Sequence, residues 1–123
     1  MPCRVPPWNR LPGRLVPLLK PAYVGLSRYG DKKTRGAPKQ INTHVDIIAW
    51  RGDRGFVGEE AALRMTVSHL AMRRRGEGDA AEPTGILTQH AVHDEAAWRF
   101  LERLFAFTRE AGARWRGVAD LFA

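Results

Sequence analysis

The stretch "PTGILTQHAVHDEAAW" (residues 83–98) carries an apolar run directly into a segment with helical spacing. Its first part, "TGILTQH" (84–90), predicts a short strand, because the apolar residues stand together after the polar loop "GEGDAAEP". A helix is predicted from near Asp94, since aspartate caps helix N-termini well, with Glu95 in the first turn. A strand that leads into a helix indicates an α/β arrangement.

Two segments upstream also have the composition of strands, "AYVGLS" (22–27) and "INTHVDIIAW" (41–50). The second is rich in Ile and Val, which favour strands over helices. The charged connection at 28–40 contains Gly and Pro and predicts a loop, and "RLVPLLK" (14–20) predicts a short helical turn. The order of elements predicts an α/β fold with a parallel sheet of about three strands.

Both long helices are predicted to be amphipathic. In "GEEAALRMTVSHLAMRRRG" (58–76), Leu63, Val67 and Leu70 fall at i, i+4 and i+7, so we expect them to form the buried stripe. The second helix should bury another stripe, which comprises Ala97, Leu101, Leu104 and Phe105.

The length of 123 residues fits a single domain. Its net charge of +7 is unevenly distributed along the chain. Residues 1–54 hold eleven Lys/Arg and three Asp/Glu, so the basic excess lies there, and residues 1–40 form a basic opening segment rich in Pro and Gly. The lone cysteine, Cys3, excludes an intrachain disulfide and a cysteine-based zinc site. No apolar run approaches the ~20 residues of a membrane span, and no signal peptide is recognisable, so we predict a cytoplasmic protein without membrane contact.

Polar groups stand at the ends of two predicted strands: Asp46 with Trp50, and Gln89 with His90. In parallel α/β folds, chemistry collects at the carboxyl ends of strands. His44 is two residues before Asp46, so both side chains should share one face, either as a catalytic pair or as satisfied polar positions in the sheet.

The other histidines have simpler interpretations. His69 lies within the first long helix and is expected at its surface or boundary. His93 and Asp94 are better explained as a helix start than as part of a metal-binding His-x-x-His pair, which would need a third ligand.

Three segments in order resemble the C-terminal half of polysaccharide deacetylase-like proteins: "VPPWNR" (5–10), "INTHVDIIAWRG" (41–52) and "EPTGILTQHAVHDEAAWRFLERL" (82–104). The resemblance implies a partial (β/α) barrel, the C-terminal half of a distorted TIM barrel, with residues 1–123 as one partial domain. It also implies a carbohydrate partner and, ancestrally, metal-dependent hydrolysis of acetyl groups on amino sugars.

The resemblance assigns site residues to matching positions. Arg10 would orient the catalytic carboxylate, Asp46 would belong to the catalytic set, and His90 would be the remaining acid candidate. Trp8 and Trp50 would bind substrate.

Two positions depart from the family pattern. Ala49 stands where the family often has an aspartate, and either Gln89 or His90 occupies the position of the final histidine. Alanine cannot accept a hydrogen bond from a ring, and glutamine cannot act as a general acid near neutral pH. The departures fit a lost proton-transfer function, so whether the chain is an enzyme stays open.

The zinc ligands of the full-length family precede the arginine motif, so we expect no bound metal and no deacetylation by this chain. It would be a truncated gene product, one part of a split protein or a degenerate homologue. Its partner would then be a missing N-terminal half or a second copy, because an open half-barrel exposes sheet edges and apolar faces.

The alternative is a non-enzymatic basic protein that binds an acidic polymer, either nucleic acid or an anionic glycan. That function would depend on Lys32, Lys33 and Arg35, with affinity falling steeply as salt rises. Nucleic acid is the less favoured partner, because the arginine run at 73–75 ends a predicted helix, where cations are favoured anyway.

Overall fold

A computed structural model describes residues 2–89 and 92–123 of the chain. Short strands and helices alternate along it. The strands are β1 (Cys3–Arg4), β2 (Gly25–Leu26), β3 (Lys39–Gln40), β4 (Val45–Asp46) and β5 (Ile86–Leu87). The α-helices are α1 (Leu19–Ala22), α2 (Glu59–Arg74), α3 (Glu95–Glu110) and α4 (Val118–Leu121), and two 3-10 segments, Pro7–Asn9 and Gly13–Leu18, precede α1.

The five named strands pair in parallel, and neighbours follow chain order: β1-β2-β3 in one sheet and β4-β5 in the other. An isolated antiparallel bridge joins Ile48 and Phe56. The chain between β3 and β4 joins the two sheets, since the Thr43 N–H donates to the Arg28 carbonyl and the His44 N–H to the Gly85 carbonyl, both at 2.8 Å. The three predicted strands coincide with β2, β4 and β5. The described strands do not close a barrel.

The predicted strand at 41–50 is not one continuous element. The Gly85 carbonyl accepts from two successive amides, His44 at 2.8 Å and Val45 at 3.0 Å. A doubled donor of this kind marks a bulge, which interrupts the alternation of side chains between the two faces. The sequence interpretation also missed β1 and β3, because β1 lies in a proline-rich segment and β3 in a charged one, without the apolar residues that surround the other strands.

The hydrophobic core lies between β4 and the two long helices. Its buried members are Val45, Ile47, Ala62, Ala97, Phe100, Leu101 and Leu104. The α3 stripe was therefore predicted correctly except at Phe105, which is 40% exposed and packs against Trp115. Phe100 takes the inner position instead and contacts Phe56.

The predicted cap of α3 is confirmed. Asp94 Oδ1 accepts from the Ala97 N–H at 2.9 Å, and Asp94 Oδ2 accepts from the Phe56 N–H at 3.3 Å. The bond to Ala97 holds the pKa of Asp94 below its ordinary value. This carboxylate therefore starts the helix and also attaches it to the turn before α2.

The predicted buried face of α2 is wrong. Leu63, Val67 and Leu70 are 40%, 60% and 45% exposed, whereas Ala62 and Thr66 are buried. The Thr66 hydroxyl donates to the Ala62 carbonyl at 2.8 Å, so its polar atom is satisfied within the helix. Small side chains on the inner face let α2 lie close to β4, with Met65 also packed against the core, whereas Leu63, Val67 and Leu70 are exposed.

The residue after α4 packs on the first sheet. The ring of Phe122 lies over Gly25 in β2, so that a Cβ placed at Gly25 would collide with Phe122 Cδ1. Glycine is required here by the close approach of the ring. No helix among the described residues is long and apolar enough to cross a membrane.

Candidate functional site

Backbone strain marks the ends of two strands. Trp8 and Asn9, which follow β1, have φ of +52° and +57°, and Gln89, which follows β5, has φ of +55°. Residues with side chains rarely adopt this left-handed region, and they collect at functional sites when the surrounding contacts hold them there. We therefore expect a functional site at the carboxyl ends of these strands.

Asp46 is the hydrogen-bonding centre of this region. Its Oδ1 accepts from the Ile48 N–H at 3.0 Å, while its Oδ2 accepts from Trp50 Nε1 at 2.9 Å and from Gln89 Nε2 at 3.2 Å. The carboxylate therefore fixes a residue from its own strand end and one from the end of β5. The side chain of Gln89 is held as a donor, with its carbonyl oxygen still able to accept.

Two tryptophans extend this region toward solvent. Trp8 and Trp50 meet edge to face with ring centroids 5.8 Å apart, and Trp8 is 79% exposed. We call the group of Trp8, Asp46, Trp50 and Gln89 the strand-end site. Four of the residues that the sequence interpretation singled out thus come together.

The structure does not bring Arg10 into the strand-end site. Arg10 is exposed and lines a separate open cavity of about 240 Å³ with Leu11 and Leu15. The guanidinium fixed beside β1 is instead that of Arg28, which donates to the Asn9 carbonyl at 2.7 Å. No motif pointed to Arg28. His90, the proposed acid, lies outside the described residues.

A second polar cluster is buried next to β4 and β5. The side chains of His44 and Glu82 are 4% and 5% exposed, and His44 Nε2 lies 2.7 Å from Glu82 Oε1. The other oxygen, Glu82 Oε2, accepts from Lys33 Nζ, which also donates to the Gln40 carbonyl at 3.2 Å. We call His44, Glu82 and Lys33 the buried network.

The buried network changes the interpretation of His44. The Gly85 N–H donates to His44 Nδ1 at 3.0 Å, so Nε2 carries the proton that goes to Glu82. Asp46 has entirely different partners, and the bulge between the two residues separates their roles. Glu82 was missed because a single glutamate in a loop has no periodicity, and its partners are 38 and 49 residues away.

His69 extends the cluster on the α2 side. Its ring stacks on that of His44 with centroids 4.0 Å apart, and its Nδ1 lies 2.8 Å from Thr84 Oγ1. Ligand atoms of Asp31, His44 and His69 lie within 4.8 Å of one another. Both ring nitrogens of His44 are already hydrogen-bonded, so a metal ion would have to displace Glu82 or the Gly85 amide. The described geometry favours a hydrogen-bonded network over a metal centre.

The environment of His69 gives a pH prediction. Burial, followed by the repulsion from His44, lowers the pKa of His69 below its ordinary value of 6.5. Protonation then favours the unfolded chain, so the contribution of neutral His69 is present above about pH 6.5 and is lost as the pH falls below it. We expect the free energy of unfolding to decrease from about pH 7.5 to about pH 5.5, and less steeply in His69→Gln.

Urea unfolding curves at several pH values measure this slope. Ser68→Gln introduces the same side chain at the exposed preceding position of α2 and should keep the slope of the parent chain. An identical slope in His69→Gln and in the parent would contradict the prediction.

Comparisons of the chain with protein-family models, with curated proteins and with solved structures found no match. The function of the chain must therefore be inferred from the strand order, the strand-end site and the buried network. Of these, the strand-end site alone combines an exposed aromatic ring with fixed polar groups.

Proposed function

We propose that the chain is a polysaccharide deacetylase-like protein, built as part of a (β/α) barrel, whose strand-end site binds an acetylated amino sugar without hydrolysing it. The supporting observation is the exposed ring of Trp8 beside Trp50, next to the carboxylate of Asp46 and the amide of Gln89. The parallel strands in chain order are compatible with such a barrel. A cytoplasmic location is part of the same proposal.

The chemistry of the site suits a sugar ring. The apolar C–H face of a pyranose packs on an indole, and its hydroxyl and acetamido groups need hydrogen-bonding partners at the edge of that contact. The Gln89 carbonyl can accept from an amide or hydroxyl, and the three donors on Asp46 keep its carboxylate oriented. Such a site orients a ligand through few polar groups on an aromatic surface.

The same residues do not fit deacetylation. In the strand-end site, Asp46 is the one carboxylate and already accepts three N–H donors, so the site offers no zinc ligand set. Gln89 has no proton to give near neutral pH, and Ala49 cannot assist a neighbouring ring. We therefore propose binding and assign no hydrolytic step.

Binding can be tested with N-acetylglucosamine tetramer by isothermal titration calorimetry. We expect Trp50→Ala and Trp8→Ala to weaken binding by roughly tenfold each, because each removes an aromatic contact worth ~1.5 kcal/mol. The matched control is Trp98→Ala, which removes an indole that is 63% exposed on α3 and contacts His93.

Three results would decide against a sugar site at the strand ends. They are no heat of binding at millimolar tetramer, equal affinity in Trp50→Ala and the parent chain, or a loss of affinity in Trp98→Ala as large as that in Trp50→Ala. Deacetylated glucosamine tetramer tests the preference for the acetyl group, and we expect it to bind more weakly.

The acidic-polymer alternative has less support among the described contacts. The ammonium of Lys33 is engaged by Glu82 and the Gln40 carbonyl, so Lys32 and Arg35 remain as the exposed cations proposed for it. Affinity for heparin or single-stranded DNA that falls steeply with salt, together with no affinity for the sugar tetramer, would favour this alternative over ours.

A further inference from the structure

An apolar stripe runs along the exposed side of α2 and begins at Leu63, beside a cavity that α2 lines together with α3. Leu63, Val67 and Leu70 follow one another along it at 40%, 60% and 45% exposure. The inward face is already complete, because Ala62 and Thr66 are buried there. Helices of monomeric proteins rarely turn three large aliphatic side chains in register toward water, so the stripe needs a partner surface.

Charged residues end the stripe with opposite signs. Glu60 and Arg74 are each seven residues from Val67, one on either side, and seven residues are almost two helical turns. All three side chains therefore point the same way. The side chain of Glu60 is 89% exposed and forms an ion pair with Arg64, and Arg74 is exposed as well. Along this side of α2, an acidic side chain is thus followed by three aliphatic side chains and then by a basic one.

We infer that α2 pairs antiparallel with the α2 of a second copy of this chain, about a two-fold axis at Val67. Such an interface must be complementary to itself, because the same patch is used twice. The antiparallel arrangement meets this condition, since it places Glu60 of each copy level with Arg74 of the other. The aliphatic residues of the two copies then cover one another between the two ion pairs.

The charge pattern also favours the antiparallel arrangement over a parallel one. A parallel pairing of the same helices would set Glu60 against Glu60 and Arg74 against Arg74, and like charges opposed in this way are unfavourable. A helix of 16 residues is about 24 Å long and buries less than the roughly 800 Å² per partner of a standard interface. The dimer should therefore be weak, in the micromolar range, and sensitive to salt.

Charge reversal in the full chain tests the pairing by analytical ultracentrifugation. We expect Glu60→Arg and Arg74→Glu each to weaken dimerisation by roughly tenfold, because each opposes like charges at both ends of the interface. The double variant Glu60→Arg/Arg74→Glu should restore the parent affinity. Glu95→Arg is the matched control, because Glu95 forms an exposed i,i+4 pair with Arg99 on α3 as Glu60 does with Arg64 on α2.

A cysteine at the axis gives a second, geometric readout. In a Cys3→Ser background, Val67→Cys should form an intermolecular disulfide under mild oxidation, whereas Glu102→Cys on the exposed side of α3 should not. A monomer at all concentrations up to about 500 μM would overturn the inference, because a micromolar dimer would be populated there. Self-association that the double variant fails to restore, or equal cross-linking at both cysteines, would also overturn it. None of these outcomes depends on sugar binding.

Discussion

Replacing Phe100 by alanine should lower the free energy of unfolding by about 3–5 kcal/mol, the range for truncating a buried phenylalanine. Phe100 is 3% exposed and belongs to the core between β4 and α3. The truncation removes apolar contacts and leaves a cavity that the neighbouring helix cannot fill without moving from the sheet. A domain of this size is stabilised by only ~5–15 kcal/mol, so the variant should unfold at far lower urea concentrations.

Phe107→Ala is the matched control for this truncation. It deletes the same side chain from the same helix, but Phe107 is 72% exposed. Equilibrium urea unfolding followed by circular dichroism at neutral pH should give a change within about 0.5 kcal/mol for this exposed position. If the two variants lose similar stability, the described burial of α3 is wrong.

Glu82→Ala should also be costly, with a loss of about 1–3 kcal/mol, because it leaves a buried hydrogen-bond donor without its acceptor. The group left behind is the Nε2–H of His44, whose side chain is 4% exposed. Lys33 loses less, since it is 46% exposed and can turn toward water or Asp79. Glu82→Gln should be milder, because an amide oxygen can still accept from His44.

The control for Glu82 is Glu77→Ala, which breaks the exposed contact between Glu77 and Arg75. Exposed pairs contribute little to stability, so the unfolding curve of Glu77→Ala should superimpose on that of the parent chain. A Glu82→Ala curve that also superimposes would show that the buried network does not stabilise the fold.

Sequence patterns correctly predicted the features that depend on residues close together in the chain. The aspartate cap and the stripe of α3 depend on residues three and four apart, and both were found apart from the exchange of Phe105 for Phe100. The extent of α2 was also correct. Its buried face was not, because a hydrophobic pattern cannot tell a helix that approaches the sheet through small residues from one that buries its largest ones.

The candidate site likewise has one part that the sequence predicted and another that it did not. Asp46, Trp50 and Gln89 were singled out because they stand at strand ends, and the structure joins them by hydrogen bonds. The buried network could not be predicted, since Glu82 and Lys33 are 49 residues apart and their pairing depends on how two loops meet. Arg10 was assigned by resemblance, which carries no information about where the chain turns after Asn9.

The contact between Gly25 and Phe122 has a consequence for how this chain can change its sequence. With the ring in place, any side chain at position 25 collides with it, beginning with its Cβ atom. Once a smaller residue has replaced Phe122, the same position becomes permissive. We therefore expect a change at position 122 to make position 25 tolerant of a side chain, whereas a change at position 25 alone should lower the stability of the chain.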